Sequence, residues 1–508
     1  MKENLNENVI NMKKLEFESS NIKIFITHLI FVGIAYAMFL KMHFSVDSYA
    51  IIYDNLGMQY LMQGRMVTYF LNLIFNKLNI NPTLNQQIFS VYLIICIAAS
   101  STILFSIISK YLQSLKFSQW ILVNISIILS FINVFLLEWF LYPEITFFLG
   151  TGLVSTVAAI YILNKGNRII NIIGSFLFLM ISMGIYQANL GIFIIYSLVI
   201  CLIKNKMNLN MVSVKESFLV LFIGFSNSVL NVLLLKLAIV LGIAVKGDRA
   251  PSFSFEVIKT NMEGVLRVQK SIWNNAYNFL PKYSVSIFGI VLFFMLGYLL
   301  RKNKYCKKNI AYFICVIVIN YLIIFAPHLF TSNLWLAQRT IVGFFVFLSS
   351  LIILVMFNCK NNKRMERALL VISSTFLIIN YIQIQNIGIN HMESNRLDQE
   401  YVSMINQEIE KYENQNNIKV KYIAAENDTK PTYNYKNIGY SIYDTNIRAF
   451  ITPWANVNMI NYFSDKDYIK VPMDSTIYEK YFKGKNWDEF SKDEQFIFVG
   501  DTLYLILY

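Results

Sequence analysis

The stretch IINIIGSFLFLMISMGIYQANLGIFIIYSLVICLI, residues 169–203, decides the fold of this chain. It contains two apolar runs that are separated only by the polar segment around Tyr186, Gln187 and Asn189. Each run is about as long as the roughly 17 to 25 residues that cross a ~30 Å hydrocarbon layer as a helix. The stretch therefore predicts two membrane-spanning helices joined by a tight polar turn at one membrane surface.

Similar apolar runs recur along the chain. Of its 508 residues, 56% are apolar and only 15% are charged, whereas soluble domains carry about one-quarter charged residues. The sequence predicts a polytopic α-helical membrane protein with about eleven spans. The predicted spans are residues 23–42, 86–109, 119–137, 145–164, 169–186, 187–203, 218–243, 285–300, 310–327, 341–357 and 369–386.

Basic residues in the short loops set the predicted orientation, because Lys and Arg resist translocation across the membrane. They fall in alternate loops, beginning with Lys110 and Lys116 and continuing with Lys165 and Arg168. We therefore predict that these loops and the N-terminal tail, residues 1–22, lie on the cytoplasmic side of a bacterial cytoplasmic membrane. The net charge of +13 is mainly a topology signal. It does not indicate nucleic-acid binding, because no basic stripe with interleaved aromatic residues is present.

A change in polarity at about residue 387 marks the predicted boundary between a transmembrane catalytic domain, residues 23–386, and a tail, residues 387–508. Eleven spans place this tail outside. It contains 18 acidic and 13 basic residues. A polar helix is predicted at 397–414, and short β-branched and aromatic runs predict strands at 418–425, 468–473 and 495–508. We expect a small extracytoplasmic α/β domain. All five cysteines lie in spans or inner loops, which excludes a disulfide-stapled exterior.

Acidic residues are rare before the tail and cluster in two predicted outer loops. Residues 19–386 contain nine acids, and four of them lie in the outer loops 44–85 and 138–144. These four are Asp47, Asp54, Glu138 and Glu144. Such a concentration of carboxylates at one membrane surface predicts a functional site there.

Cationic and aromatic residues accompany these acids. The outer loops 44–85, 244–284 and 328–340 carry Arg65, Lys246, Arg249 and Arg339, in part against the orientation rule. This combination is typical of glycosyl transfer from a lipid-phosphate sugar to a hydroxyl. One carboxylate would act as general base. Arginine, lysine or a divalent cation, Mg²⁺ or Mn²⁺, would stabilise the departing phosphate.

Four short motifs resemble the glucosyltransferase II family, the membrane enzymes that decorate O-antigen. They are Asp47-Ser48-Tyr49 with Gly64-Arg65, then Asn133 with Glu138, Tyr142 and Glu144, then Tyr186-Gln187, and finally Arg339-Thr340-Ile341-Val342-Gly343. The chain departs from the family pattern at two positions. Ser48 stands where the family has a second aspartate, and Glu144 stands where it more often has aspartate.

The resemblance implies a glycosyltransferase of the C superfamily (GT-C). It implies an inverting transfer of a hexose, with glucose on undecaprenyl phosphate as the expected donor. The acceptor would be O-antigen or another cell-envelope glycan on the outer face, and a donor synthase and a flippase would be functional partners. Membrane lipid would surround the enzyme.

The candidate site residues fall into three groups. The candidate catalytic residues are Asp47, Glu138 and Glu144, with Asp47 favoured as the base. Asp54 is a candidate cation ligand or a solvated loop charge. The candidate ligands of donor phosphate and sugar are Arg65, Tyr49, Tyr186, Gln187, Lys246, Arg249, Trp335 and Arg339.

Other interpretations stay open at the level of sequence. Asp47 could cap the following helix, and Arg65 could anchor an interfacial helix to phospholipid phosphates. A polysaccharide polymerase or ligase would also place acids and arginines outside. A lipid-linked glycan transporter or flippase is less compatible, because transporters usually carry broken helices and polar residues near mid-membrane.

Overall fold

The structure is a computed structural model of the chain. It describes a set of ten residue ranges, to which all structural statements below refer. These ranges are 21–53, 57–112, 116–166, 168–247, 249–359, 362–427, 435–440, 442–443, 445–485 and 491–507.

The part of the chain before the tail is helical. Its first helix ends in a 3₁₀ turn, Ala37–Leu40, and two further 3₁₀ turns, Pro143–Ile145 and Gln338–Thr340, lie in loops. The helices are α1 (Asn21–Leu40), α2 (Ser48–Tyr53), α3 (Gly57–Met62), α4 (Met66–Lys77), α5 (Gln86–Tyr111), α6 (Phe117–Phe131), α7 (Glu138–Leu141), α8 (Thr146–Leu163), α9 (Ile169–Ile185), α10 (Asn189–Lys204), α11 (Met211–Val240), α12 (Phe255–Asn275), α13 (Ser284–Lys302), α14 (Lys307–Leu322), α15 (Ala326–Leu329), α16 (Gly343–Asn358) and α17 (Lys363–Asn416).

Six helical segments are long and apolar enough to cross a membrane by length and composition: α1, α5, α8 with its preceding 3₁₀ turn, α11, α13 and α17. Four more apolar helices are shorter, namely α6, α9, α10 and α16. The helical architecture is therefore consistent with a polytopic membrane protein. The number of eleven crossings and their orientation stay predictions.

Helices α10 and α16 lie at the centre of the helical body, where almost every side chain of both is buried. Gly191 of α10 faces Gly343 of α16, so the two backbones come close at their crossing. Small residues at such crossings let apolar helices pack closely without help from the hydrophobic effect, which is weak between helices in lipid. This packing brings the loops at one end of the body together.

Helix α17 continues through residue 387 and joins the body to the tail. The sequence predicts a span at 369–386 and a separate tail helix, but the structure has one helix of 54 residues. A Cβ at Gly388 would overlap the sulfur of Met38. Gly388 thus allows a close approach of α1 and α17 at the point where the sequence turns polar.

The tail contains a four-stranded sheet with the order β2-β1-β4-β3. Strand β1 is parallel to β2 and β4, whereas β3 and β4 are antiparallel. The strands are β1 (Tyr422–Asn427), β2 (Ile469–Lys470), β3 (Phe496–Val499) and β4 (Thr502–Leu507). The other elements are α18 (Asn456–Ser464), α19 (Ser475–Ile477), α20 (Lys492–Gln495), a 3₁₀ turn (Ala449–Ile451) and a π-helical turn (Tyr478–Phe482).

The tail packs on the first loop of the body. Phe44 and Tyr49 are buried in the same apolar cluster as Tyr401 and Val402 of α17 and Ile460 of α18. A second link runs through Asn395 of α17, whose side chain bonds both the N–H and the carbonyl of Phe44. The tail therefore lies beside the loop that carries Asp47.

Candidate active site

Glu144 organises the loop that carries Asp47. It lies in the 3₁₀ turn before α8 and is 1% exposed. The hydroxyl of Ser45 donates to one carboxylate oxygen at 2.7 Å, and the hydroxyl of Ser48 donates to the other at 2.9 Å. The backbone N–H of Asp47 donates to the Ser45 hydroxyl at 3.0 Å. Glu144 thus fixes the turn on which Asp47 stands.

Asp47 is the more accessible of these two carboxylates. It is half-buried, whereas Glu144 is buried. The indole N–H of Trp454 donates to an oxygen of Asp47 at 3.2 Å and to the carbonyl of Val46 at 3.0 Å. Asp47 is therefore contacted both by the serine turn and by the tail, and part of its surface is exposed.

Glu138, the third candidate carboxylate, forms a buried ion pair with Arg339. It accepts hydrogen bonds from both the guanidinium and the backbone N–H of Arg339. The Arg339 guanidinium also lies over the ring of Tyr142, 4.3 Å from its centroid. Because Glu138 is buried and accepts two hydrogen bonds from Arg339, it anchors the loop at 335–340.

Arg65 follows a tight turn in which the backbone of Gly64 is in the left-handed region. Gly64 has φ +73°, and its carbonyl accepts a hydrogen bond from the side chain of Asn231 at 3.0 Å. The side-chain amide of Gln187 donates to the carbonyl of Gln63 at 2.8 Å. Gln187 and Asn231 thus clamp the turn from two sides. In this geometry Gln187 positions Arg65 through the backbone.

The Arg65 guanidinium lies over the ring of Tyr186, 4.8 Å from its centroid. Burial lowers the pKa of Arg65, and the positive charges of Arg339 and Arg249 lower it further, whereas the Tyr186 and Tyr60 hydroxyls raise it. Arginine still stays charged at neutral pH. The Nε of Arg65 has no hydrogen-bond partner among the described residues.

Arg249 completes a group of three arginines around Tyr186, which is in electrostatic range of Arg65, Arg339 and Arg249. Its guanidinium lies over the ring of Trp335, 4.6 Å from the centroid. The three arginines come from three separate loops. We call Arg65, Arg249 and Arg339 the arginine cluster. Such a concentration of positive charge in a partly buried place favours an anionic ligand.

The other predicted ligands lie as follows. Lys246 is exposed. Tyr49 is 1% exposed and stacks on Phe44 at 4.8 Å, so its packing against the tail leaves no face for a sugar. Asp54 lies outside the described residues. Trp335 is half-buried.

No group of three or more His, Cys, Asp or Glu side chains that could hold a metal ion occurs within the described ranges. His328, in α15, contacts the loop backbone. Its Nε2 donates to the carbonyl of Thr340 at 3.3 Å, which supports the backbone beside Arg339. Burial lowers the pKa of His328 to about 4, so its ring is neutral at pH 7.

Five side chains of the site were not predicted as site residues. In the sequence, Ser45 is only a hydroxyl residue near Asp47, Ser48 is noted only as the residue in place of a second aspartate, and Asn231 is a polar residue in a long apolar run. Gln338 is fully buried, and its amide oxygen and nitrogen have no partner in the described part of the chain. Trp454 gave no local signal, because it lies 407 residues from Asp47.

The Gly64 turn provides a first prediction. Gly64→Ala is expected to destabilise the protein by about 1–2 kcal/mol, because φ is positive there, and by more through crowding. A Cβ would meet Asn231 at 3.0 Å and Gln187 at 3.2 Å. Gly242→Ala is the matched control, since Gly242 has φ +69° with nothing near its Cβ position.

Thermal unfolding of both purified variants measures the difference. The Gly64 variant should unfold at the lower temperature, and it should also lose activity because Arg65 moves with the turn. Equal stabilities together with unchanged activity would show that the turn does not position Arg65.

Comparison with known proteins identifies the family of the chain. No curated protein and no solved structure matches the chain. A sequence model of the family described as Glucosyl transferase GtrII matches residues 36–356. This range holds both carboxylate loops and the arginine cluster, and it ends before the tail. It confirms the resemblance expected from the motifs. The chain belongs to the Glucosyl transferase GtrII family.

Proposed function

We propose that this membrane glycosyltransferase moves glucose from a polyprenyl-phosphate donor to a hydroxyl of a cell-envelope glycan, with inversion at the anomeric carbon. Asp47 would be the general base, and the arginine cluster would bind the donor phosphate. The site would face the outer side of the cytoplasmic membrane. In that case a separate synthase would make the donor and a flippase would deliver it.

The juxtaposition of an acidic and a basic half carries this proposal. Tyr60 of α3 is in electrostatic range of Glu144 and Asp47 and also of Arg65, so the acidic and the basic residues lie near one another. A sugar phosphate with its phosphate on the arginine cluster would direct its anomeric carbon toward Asp47. This is the arrangement that a single displacement needs, because nucleophile and leaving group then lie on opposite faces of the sugar.

The proposed step is balanced as follows. Asp47 takes the proton of the acceptor hydroxyl as its oxygen bonds to the anomeric carbon. The bond between that carbon and the phosphate oxygen breaks, and its electron pair stays on the polyprenyl phosphate. The arginine cluster stabilises this added negative charge. Glu144 and Ser45 keep Asp47 in place through the bonds described above.

An apolar groove supports a donor with a lipid chain. It has a volume of about 820 Å³ and lies between α13, α14 and α16, with Trp273 and Tyr321 at one end and Arg301 at the other. Its Tyr321 end lies just before α15, whose His328 contacts the backbone next to Arg339. A polyprenyl chain lying in the groove would therefore run toward the arginine cluster.

Gly297 offers a test of the groove. It lines the groove, and a Cβ there meets open space. It lies about 20 Å along α13 from Ser284 at 1.5 Å per residue, beyond the reach of a short chain. Gly297→Leu is expected to raise the KM for an undecaprenyl-length donor about five-fold, since lost chain burial weakens binding.

The same variant should leave the KM for a farnesyl-length donor nearly unchanged. Gly33→Leu is the control, because Gly33 lies on α1 with equally open space at its Cβ position. Steady-state kinetics in detergent micelles with both donors measure the effect. Equal effects of the Gly297 variant on the two donors would speak against a chain in this groove.

The direct test of the function is a transfer assay. Purified enzyme would be incubated with labelled synthetic polyprenyl-phosphate-glucose and native envelope glycan, with Mg²⁺, Mn²⁺ or EDTA. Label in the glycan supports the proposal, and the three conditions report any need for a cation. Absence of transfer from this and other polyprenyl-phosphate hexoses, with a folded enzyme, would refute it.

A further inference from the structure

A tail residue reaches the proposed catalytic base. Trp454 lies between the 3₁₀ turn Ala449–Ile451 and α18, beyond the range that the family match covers. Its indole N–H bonds Asp47 and the carbonyl of Val46. Yet 54% of this side chain is exposed. The contact with Asp47 therefore occupies the edge of the indole and leaves much of the ring open.

The segment around Trp454 is well fixed. Ile451 and Ala455 on either side are buried in the tail core. The Lys470 ammonium donates to the carbonyl of Pro453 and to the side chain of Asn456. An exposed aromatic ring on a fixed backbone provides a contact surface that loses little conformational entropy on binding.

We propose that Trp454 forms the acceptor subsite, stacking its indole on the pyranose ring whose hydroxyl Asp47 deprotonates. This rests on the proposed function and adds the substrate contact that selects the acceptor. A pyranose has an apolar C–H face that packs on an aromatic ring, while its hydroxyls project from the rim. With the indole edge fixed on Asp47, a stacked sugar holds its rim next to the carboxylate.

An ordinary place in the aromatic belt of a membrane surface accounts less well for Trp454. Belt residues keep their polar edge in the headgroup region, whereas this N–H is bonded to Val46 and Asp47 of the protein. Its neighbours on the tail include the polar side chains of Asn456 and Lys470. These favour a sugar over a lipid chain as occupant.

Two variants separate stacking from the hydrogen bond to Asp47. Trp454→Phe keeps an aromatic ring and loses the N–H, and Trp454→Leu loses both. With polyprenyl-phosphate-glucose as donor, Trp454→Leu is expected to raise the KM for the glycan acceptor about ten-fold, in the range of one aromatic contact. Trp454→Phe should raise it less. The KM for the donor should stay within about two-fold of wild type in both.

Trp120→Leu is the matched control, the same change in α6, where Trp120 stacks on Phe117. It should leave the acceptor KM unchanged. Thermal unfolding of all variants verifies that they are folded. An equal rise in acceptor and donor KM, or a rise with Trp120→Leu as large as with Trp454→Leu, would overturn the assignment.

Binding without turnover tests the subsite independently of the reaction. Saturation-transfer NMR would be recorded with methyl glucoside, galactoside, mannoside and rhamnoside on wild type and Trp454→Leu, without donor. Transfer to the C–H protons of at least one pyranoside that is lost in Trp454→Leu supports the subsite, even if no glucose transfer is found. Equal signals in both proteins for all four sugars would overturn it, even if transfer occurs.

Discussion

Asp47→Asn is expected to lower the rate of glucose transfer about a thousand-fold, within the range that general-base catalysis provides. Asparagine keeps an oxygen for the Trp454 indole and a backbone N–H for Ser45. The asparagine side chain cannot take up the proton of the acceptor hydroxyl. Initial rates with saturating donor, measured next to thermal unfolding, test this. The unfolding temperature should change little, because the substitution preserves size and both described contacts.

Glu144→Gln is the informative companion. Glu144 is buried and receives two serine hydroxyls, so we assign it to positioning. Its amide variant should lose about ten-fold in rate and about 1–3 kcal/mol of stability, the range of a lost charge-assisted hydrogen bond. A reversed order, with Asp47→Asn near wild type and Glu144→Gln inactive, would make Glu144 the base.

Composition alone predicted a candidate site in one set of loops. Acids are so rare before the tail that four of them in two loops carry information, and basic residues placed against the orientation rule add to it. The structure brings Asp47 next to the loop of Glu144, and Arg65, Arg249 and Arg339 together around Tyr186. These placements depend on the end of the helical body at which each loop lies. The hydropathy pattern predicts the helices and therefore the end at which each loop lies.

Pairing within the site could not be read in this way. The ion pair between Glu138 and Arg339 joins residues 201 positions apart, and the indole of Trp454 meets Asp47 across 407. Neither has a local sequence pattern. Tyr49 shows the reverse case, since its place in the motif predicts a ligand while its ring is buried against the tail. The continuous α17 was missed because polarity, and not a break in the backbone, changes at residue 387.

Arg65→Met should separate function from stability. We expect glucose transfer to fall at least about a hundred-fold, because one charge that stabilises the leaving phosphate is lost. The unfolding temperature should stay equal or rise. Burial and two neighbouring arginines disfavour the charge of Arg65. Within the described ranges, no carboxylate is among the groups that shift its pKa, and its Nε has no hydrogen-bond partner. Methionine keeps much of the packing over Tyr186.

Arg339→Met is the contrasting control in the same cluster. It should also lower transfer, but it leaves Glu138 buried without its guanidinium partner, which costs about 3–5 kcal/mol. Adding Glu138→Gln to this variant should restore much of the stability and none of the transfer.

The opposite result for Arg65→Met, in which the variant unfolds at a lower temperature and keeps its rate, would show that Arg65 supports the fold and that the donor phosphate binds elsewhere. Inorganic pyrophosphate as inhibitor gives a further check, since its Ki should rise in both single variants if the arginines share one anion.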